Sequence, residues 1–171
     1  MKTIAETKRL IIREFSLGDA EYFYHLNKDP EVMRYTGDKS FRSIEESQQL
    51  IKNYDAYKKN GFGRNTLILK ESNEIIGWCG LKRHEEGMVD LGFRLFQKHW
   101  NKGYATEASL KHLELGFNEY LLNEIVGRAS AENLASIAVL KKCGMKFWKN
   151  ASCEGIENSV YYRIQKKDFR V

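Results

Sequence analysis

The chain of 171 residues contains one proline, Pro30, and three cysteines, Cys79, Cys143 and Cys153. The cysteines are odd in number and none stands at CxxC spacing, which argues against a disulfide framework and against a zinc site. They read as reduced structural thiols of a cytosolic chain. No run approaches the roughly 20 apolar residues that span a bilayer. The opening Met1-Lys2-Thr3-Ile4-Ala5-Glu6 has no apolar stretch of the kind a signal peptide needs. The expectation is a cytoplasmic protein without a membrane partner. Repeats, low-complexity tracts and linkers are missing too, so residues 1–171 read as one domain. Neither GxGxxG nor GxxxxGK[ST] occurs, which removes the Rossmann and P-loop readings. Gly61-Phe62-Gly63 is a turn.

What is present is enough apolar surface to fold. Nine Phe, nine Tyr and three Trp make disorder untenable. A chain of this length buries about two-thirds of the surface it exposes when unfolded, so it needs no disulfide for stability. The formal charge is +5. It suits a polyanionic small ligand as well as RNA, and Lys and Arg are spread along the chain. Charge therefore nominates no nucleic acid.

Periodicity predicts a first strand over Lys8 to Phe15 and a helix capped by Asp19 that runs to about Asn27. Asp29-Pro30-Glu31 opens a helical turn. Ser43 and Glu46 form a capping-box pattern ahead of a helix that ends near Gly61. Strands follow at Thr66 to Lys70, Glu74 to Lys82 and Asp90 to Phe96, the first two joined by a Ser72-Asn73 turn. A long helix from Tyr104 to Leu121 and a strand from Glu124 to Ala129 come next. Asn133 caps a helix to Lys142 that Gly144 closes, before strands at Lys146 to Lys149 and Val160 to Gln165. The order predicts an α/β (α+β) mixed sheet of about seven strands with helices on both faces.

The informative stretch is Leu95-Phe96-Gln97-Lys98-His99-Trp100-Asn101-Lys102-Gly103-Tyr104-Ala105-Thr106-Glu107-Ala108, a strand, a short loop and a helix. A helix start presents unpaired N–H groups and the positive end of the dipole, which bind phosphate. Gly103 lets backbone approach a ligand closely, Ala105 is the next smallest choice, and Thr106 offers a hydroxyl. Lys98, His99 and Lys102 raise the local positive charge.

This loop resembles the acetyl-CoA pyrophosphate loop of the GNAT superfamily, in the YWGKGYATEA form of the branch that acetylates ribosomal-protein N-termini. Three further blocks are similar to that branch and come in its order: Thr7 to Arg13 (TxRLxLR), Asp90 to Leu95 (EIGYxL), and Asn133 to Met145 (NxxSxxVLxKxGF). The resemblance implies the acyl-CoA N-acyltransferase fold and acetyl-CoA as co-substrate. It implies that Leu95, Phe96 and Gln97 pair with the pantetheine arm as an added strand, and that backbone amides from Asn101 to Thr106, with Lys102, Gly103, Tyr104 and Ala105 between, hold the pyrophosphate. Asn133 would contact the pantetheine or acetyl end, and Ser136 the cofactor's edge. Asn101 stands where the family has Gly, and Asn tolerates left-handed φ.

Direct attack of an amine on a thioester needs a base and an oxyanion donor. The donor is a backbone N–H near Leu95 or Phe96. Candidate bases are Asp90, with a raised pKa in a dry cleft, and Glu85 or Glu86 beside His84. Where the family often has a leaving-group Tyr, this chain has Leu140; Tyr161 and Tyr162 on the final strand are the other tyrosines to consider, and the sequence does not place them. The acceptor is expected to be a protein N-terminal amine. A polyamine, an aminoglycoside, or a non-catalytic acyl-CoA sensor are the alternatives. Pairing of last strands into a homodimer is an expectation from fold analogy alone.

Overall fold

A computed structural model describes residues 2–153 and 155–170, so Met1, Glu154 and Val171 lie outside the described residues. Eight strands form one sheet in the order β1-β2-β3-β4-β5-β6-β8-β7. They are β1 Thr3–Glu6, β2 Leu10–Arg13, β3 Arg64–Leu69, β4 Ile75–Arg83, β5 Val89–Leu95, β6 Glu124–Ser130, β7 Lys146–Cys153 and β8 Ile156–Gln165. The helices are α1 Ala20–Lys28, α2 Pro30–Met33, α3 Ile44–Lys52, α4 Ala56–Asn60, α5 Tyr104–Asn118 and α6 Leu134–Lys142. Every neighbouring pair of strands is antiparallel except β5 and β6. That one parallel pair requires a crossover, and α5 supplies it.

The mixed sheet with helices on both faces agrees with the sequence pattern, and the differences have local causes. The expected first strand is β2, and a further strand that was not expected, β1, precedes it. The Thr7 hydroxyl accepts from the Leu10 N–H at 3.0 Å, and the Thr7 N–H donates to the Leu10 carbonyl at 2.9 Å, which turns the chain back on itself. The long helix expected up to Gly61 breaks at residues 53–55 into α3 and α4. Asn53 closes α3 with an N–H bond to the Gln49 carbonyl, and Gly61 at φ 77° closes α4. Ser43 caps α3 by accepting from the Glu46 N–H, but Glu46 reaches back to the Arg42 N–H instead of completing the box.

Asp19 does not cap α1. Its carboxylate is buried, receives both guanidinium nitrogens of Arg13 at 2.8 and 2.6 Å, and accepts from the Thr66 hydroxyl and the Ser16 N–H. The residue that looked like a helix cap thus ties α1 to β2 and β3.

The two sheet faces have separate cores. Leu67, Cys79, Leu81, Leu91 and Leu95 pack with Leu113, Phe117 and Leu140 under α5 and α6. Trp78 packs with Phe23, Leu26, Val32 and Ile51 under α1, α2 and α3. Strand alternation sorts β5 between them: Leu91 and Leu95 go to the first core, and Asp90, Gly92 and Arg94 face the other side.

Candidate active site

The parallel pair comes apart. β5 and β6 pair at Asp90 with Val126 and Leu91 with Gly127, and no further. From Gly92 on, β5 keeps only its β4 partner. The Phe96 N–H donates across to the Ile76 carbonyl at 3.1 Å. By the alternation of an antiparallel ladder, the backbone groups of Phe93 and Leu95 point the other way, into the gap that β6 has left. The gap opens at the carboxyl ends of two parallel strands, beside the starts of α5 and α6, where open α/β sheets place ligands.

At the mouth of the gap lies the 96–103 loop. The edge predicted over Leu95 to Gln97 ends at Leu95, because residues Gln97–His99 form a single 3-10 turn. The Gln97 side chain is turned away and donates to both Asp29 oxygens at 2.8 Å. The Trp100 indole N–H donates to the Leu95 carbonyl at 2.8 Å and pins the loop to its strand. Asn101 (φ 59°) and Gly103 (φ 80°) are left-handed, so the chain coils tightly into α5. The N–H groups from Asn101 to Thr106 make no hydrogen bond among the described residues. They form a concave set of free donors at a helix N-terminus, which is a diphosphate-binding geometry.

The loop is staked from a distance. Glu107, one turn into α5, accepts from the Thr7 hydroxyl at 2.6 Å, the Arg9 N–H at 2.9 Å and Arg9 Nε at 2.6 Å. Arg9 also donates to the Lys102 carbonyl at 2.9 Å and stacks over the Tyr104 ring at 4.4 Å. Burial pushes the Glu107 carboxyl up, but the Thr7 and Arg9 hydrogen bonds outweigh it and hold the group below the usual carboxylate range. Sequence reasoning had Thr7 and Arg9 only as part of the first-strand motif. Their role is to carry the loop.

The positive charge expected from Lys98 and His99 is diverted. Glu74, from the β3–β4 turn, pairs with Lys98, and His99 Nε2 lies 3.5 Å from the same carboxylate. His99 is buried, and burial lowers its pKa. Lys102 and Arg9 remain beside the amides, with Arg9 Nη2 3.3 Å from where a Cβ on Gly103 would stand.

Asn133 accepts from the Ser136 N–H at 3.1 Å and caps α6. Its carboxamide nitrogen makes no hydrogen bond among the described residues, and Asn133 and Ser136 both stand half-buried at the β6 side of the gap.

The carboxylates depart from expectation. Asp90 is buried, with Oδ1 2.8 Å from His84 Nε2 and Oδ2 3.1 Å from Arg128 Nη2. Burial pushes its pKa up, but the His84 hydrogen bond and the Arg128 and Arg64 charges prevail, and the pKa is lowered, not raised. Asp90 is an ion-pair partner where a proton acceptor was expected. Glu85 and Glu86 sit exposed in the β4–β5 turn, at the other end of β5 from the loop. Leu140 is buried against Gly127. The Tyr161 hydroxyl donates to the Ser152 carbonyl at 3.2 Å, and Tyr162 lies in the core. A cavity of about 580 Å³ lies among the β4–β5 turn, residues 121–124 and β7, away from the gap.

Residues 9–146 match the model of the acetyltransferase (GNAT) domain. N-acetyltransferase p20 of Bacillus licheniformis is 34% identical over 137 residues, which cover 78% of this chain and 77% of that protein. N-acetyltransferase YnaD of Bacillus subtilis (strain 168) is 31% identical over 95% of this chain and 97% of its own length. The crystal structure of a GNAT-family acetyltransferase from Bacillus anthracis superposes with a TM-score of 0.79 at 30% identity, covering 98% of this chain and 99% of that one. With a parted strand pair, a ring of free amides and these likenesses, the chain belongs to the GNAT family of acetyl-CoA-dependent acetyltransferases.

Proposed function

We propose that this acetyltransferase carries an acetyl group from acetyl-CoA to a primary amine by direct attack, and that the amine is a protein N-terminus or a compact mimic of one. The observation that carries the reading is the parting of β5 from β6 after Leu91, directly above the free amides of Asn101 to Thr106. The residues fit the cofactor. Gly103 leaves room for a diphosphate, and the edge N–H and C=O of Phe93 and the N–H of Leu95 lie free for an extended amide-bearing arm. Acetyl-CoA supplies an activated thioester.

The protein supplies position and charge stabilisation. The diphosphate rests on the amides from Asn101 to Thr106, with Lys102 and Arg9 beside it. The Asn133 carboxamide nitrogen faces the β6 side of the arm. The Phe96 N–H is committed to β4, so the oxyanion donor is an edge amide of Phe93 or Leu95. The amine nitrogen forms its bond to the acetyl carbon as the carbon–sulfur bond breaks, and the nitrogen's proton leaves to solvent. No tyrosine is needed at position 140, because a thiol with a pKa of about 8.5 is a competent leaving group.

Calorimetry with CoA and a thiol-release assay across a panel of amines test the reading. Binding in the micromolar range with release of free thiol is expected. Absence of CoA binding at low ionic strength would end it.

A further inference from the structure

On the face of β5 opposite the main core, a glycine floor lies where the gap begins. Gly80 on β4 and Gly92 on β5 are directly paired. A Cβ on Gly92 would meet the Trp78 ring at 3.4 Å and Arg64 Nη2 at 3.6 Å. The Arg64 guanidinium therefore stands over the point where β5 and β6 part. It is stacked on Trp78 at 4.5 Å. Its main chain is clamped by two tyrosines: the Tyr54 hydroxyl accepts from the Arg64 N–H at 2.7 Å, and the Tyr57 hydroxyl donates to the Arg64 carbonyl.

Arg64 has no salt bridge and no side-chain hydrogen bond among the described residues, and its Nε is buried without a partner. The charges around it are already matched. Arg94, which also flanks Trp78 at 5.3 Å, is paired with Asp38 and Asn27 at 2.6 Å each. Arg128 is paired with Asp90, whose other oxygen is bonded to His84. Three arginines thus meet two carboxylates, and the one left over is the one at the gap. A planar, stacked guanidinium with open donors is built to receive a carboxylate in a fork.

We infer that Arg64 binds a carboxylate of the acceptor, so that the amine acetylated here belongs to a molecule carrying an anionic group beside its nitrogen. This rests on the acetyl-transfer reading and names the acceptor class within it. A polyamine, cationic along its length, meets the wrong charge at this point. Two sources provide the right chemistry: a free amino acid, or a peptide whose N-terminal residue is acidic.

The test is calorimetry on the CoA-loaded protein with matched probes: methionine against methioninamide, Asp-Ala-Ala amide against Asn-Ala-Ala amide, and spermidine. One acid is expected to bind about 10- to 100-fold tighter than its neutral mate, the range of a charge-assisted hydrogen bond. Preference within the first pair identifies a free amino acid, and within the second an acidic peptide N-terminus. Arg64→Gln should abolish the preference and Arg64→Lys restore part of it, with CoA affinity unchanged in both as evidence of an intact fold. The inference is overturned if neither acid outbinds its mate, if spermidine binds best, or if Arg64→Gln keeps the preference. Failure of the unaltered protein to bind CoA would instead strike the proposed function.

Discussion

At the scale of single residues, the site depends on backbone positions that tolerate no ordinary side chain. Gly103 is left-handed, and a Cβ there would stand 3.3 Å from Arg9 Nη2. Gly103→Ala incurs roughly 1–2 kcal/mol of backbone strain, so CoA affinity should fall about tenfold or more, as read by calorimetry. Asn101 is left-handed as well, and Asn101→Gly should leave that affinity unchanged or improve it slightly. The features at 101, 103 and 133 were legible because φ preference and helix capping are local. Arg9 was not, because its partners Lys102 and Glu107 are far away in sequence and only folding joins them. Glu107→Ala would remove the acceptor of the Thr7 hydroxyl, the Arg9 N–H and Arg9 Nε and loosen the loop, so CoA should bind roughly tenfold more weakly, with a modest loss of thermal stability. The misreading of Asp90 has the same origin. An acidic residue on a strand looks the same whether it faces a dry cleft or an arginine, and Arg128 lies on another strand.

At the scale of elements, the informative contacts are those that fix one segment on another. α1 reaches the sheet through Asp19, which holds Arg13 of β2 and Thr66 of β3 in the interior. Removing one partner of such a pair leaves the other charge buried alone. Asp19→Ala should therefore cost about 3–5 kcal/mol, seen as a lower urea midpoint. Arg13→Met with Asp19→Leu, which removes both charges, should recover much of that loss. The loop 96–103 is fastened by three elements: Trp100 to the end of β5, Gln97 to Asp29 at the start of α2, and Lys98 to the β3–β4 turn. Periodicity gave the existence and order of these elements. It missed β1 and merged α3 with α4, because the turn at Thr7 and the Tyr54 and Tyr57 contacts with Arg64 rest on side-chain bonds that have no periodic signature.

Across the whole molecule, the burial of His112 links stability to pH. His112 is fully inside α5's packed face, with Nδ1 2.8 Å from the Ala108 carbonyl and Nε2 3.0 Å from the Asn65 carboxamide. Burial pulls its pKa down from 6.5 to about 4. The unfolded chain then binds this proton more readily than the folded one between those two values. The stabilisation is complete above about pH 6.5 and is lost as the pH falls toward 4, by about 3 kcal/mol on the linkage relation. Urea unfolding from pH 7 to pH 4 should show that decline, and His112→Gln should flatten this part of it. By itself the sequence determined the family, the mixed sheet and the glycine-containing turn into α5, since hydrophobic period, glycine placement and caps act over a few neighbouring residues. Only the tertiary structure decided which charges are spent on each other. Glu74 takes Lys98, Asp90 takes Arg128, Asp38 takes Arg94, and Arg64 is left where β5 and β6 part. Pairing of charges depends on distance in space, and residues far apart along a chain acquire that distance only when the strands that carry them are laid side by side.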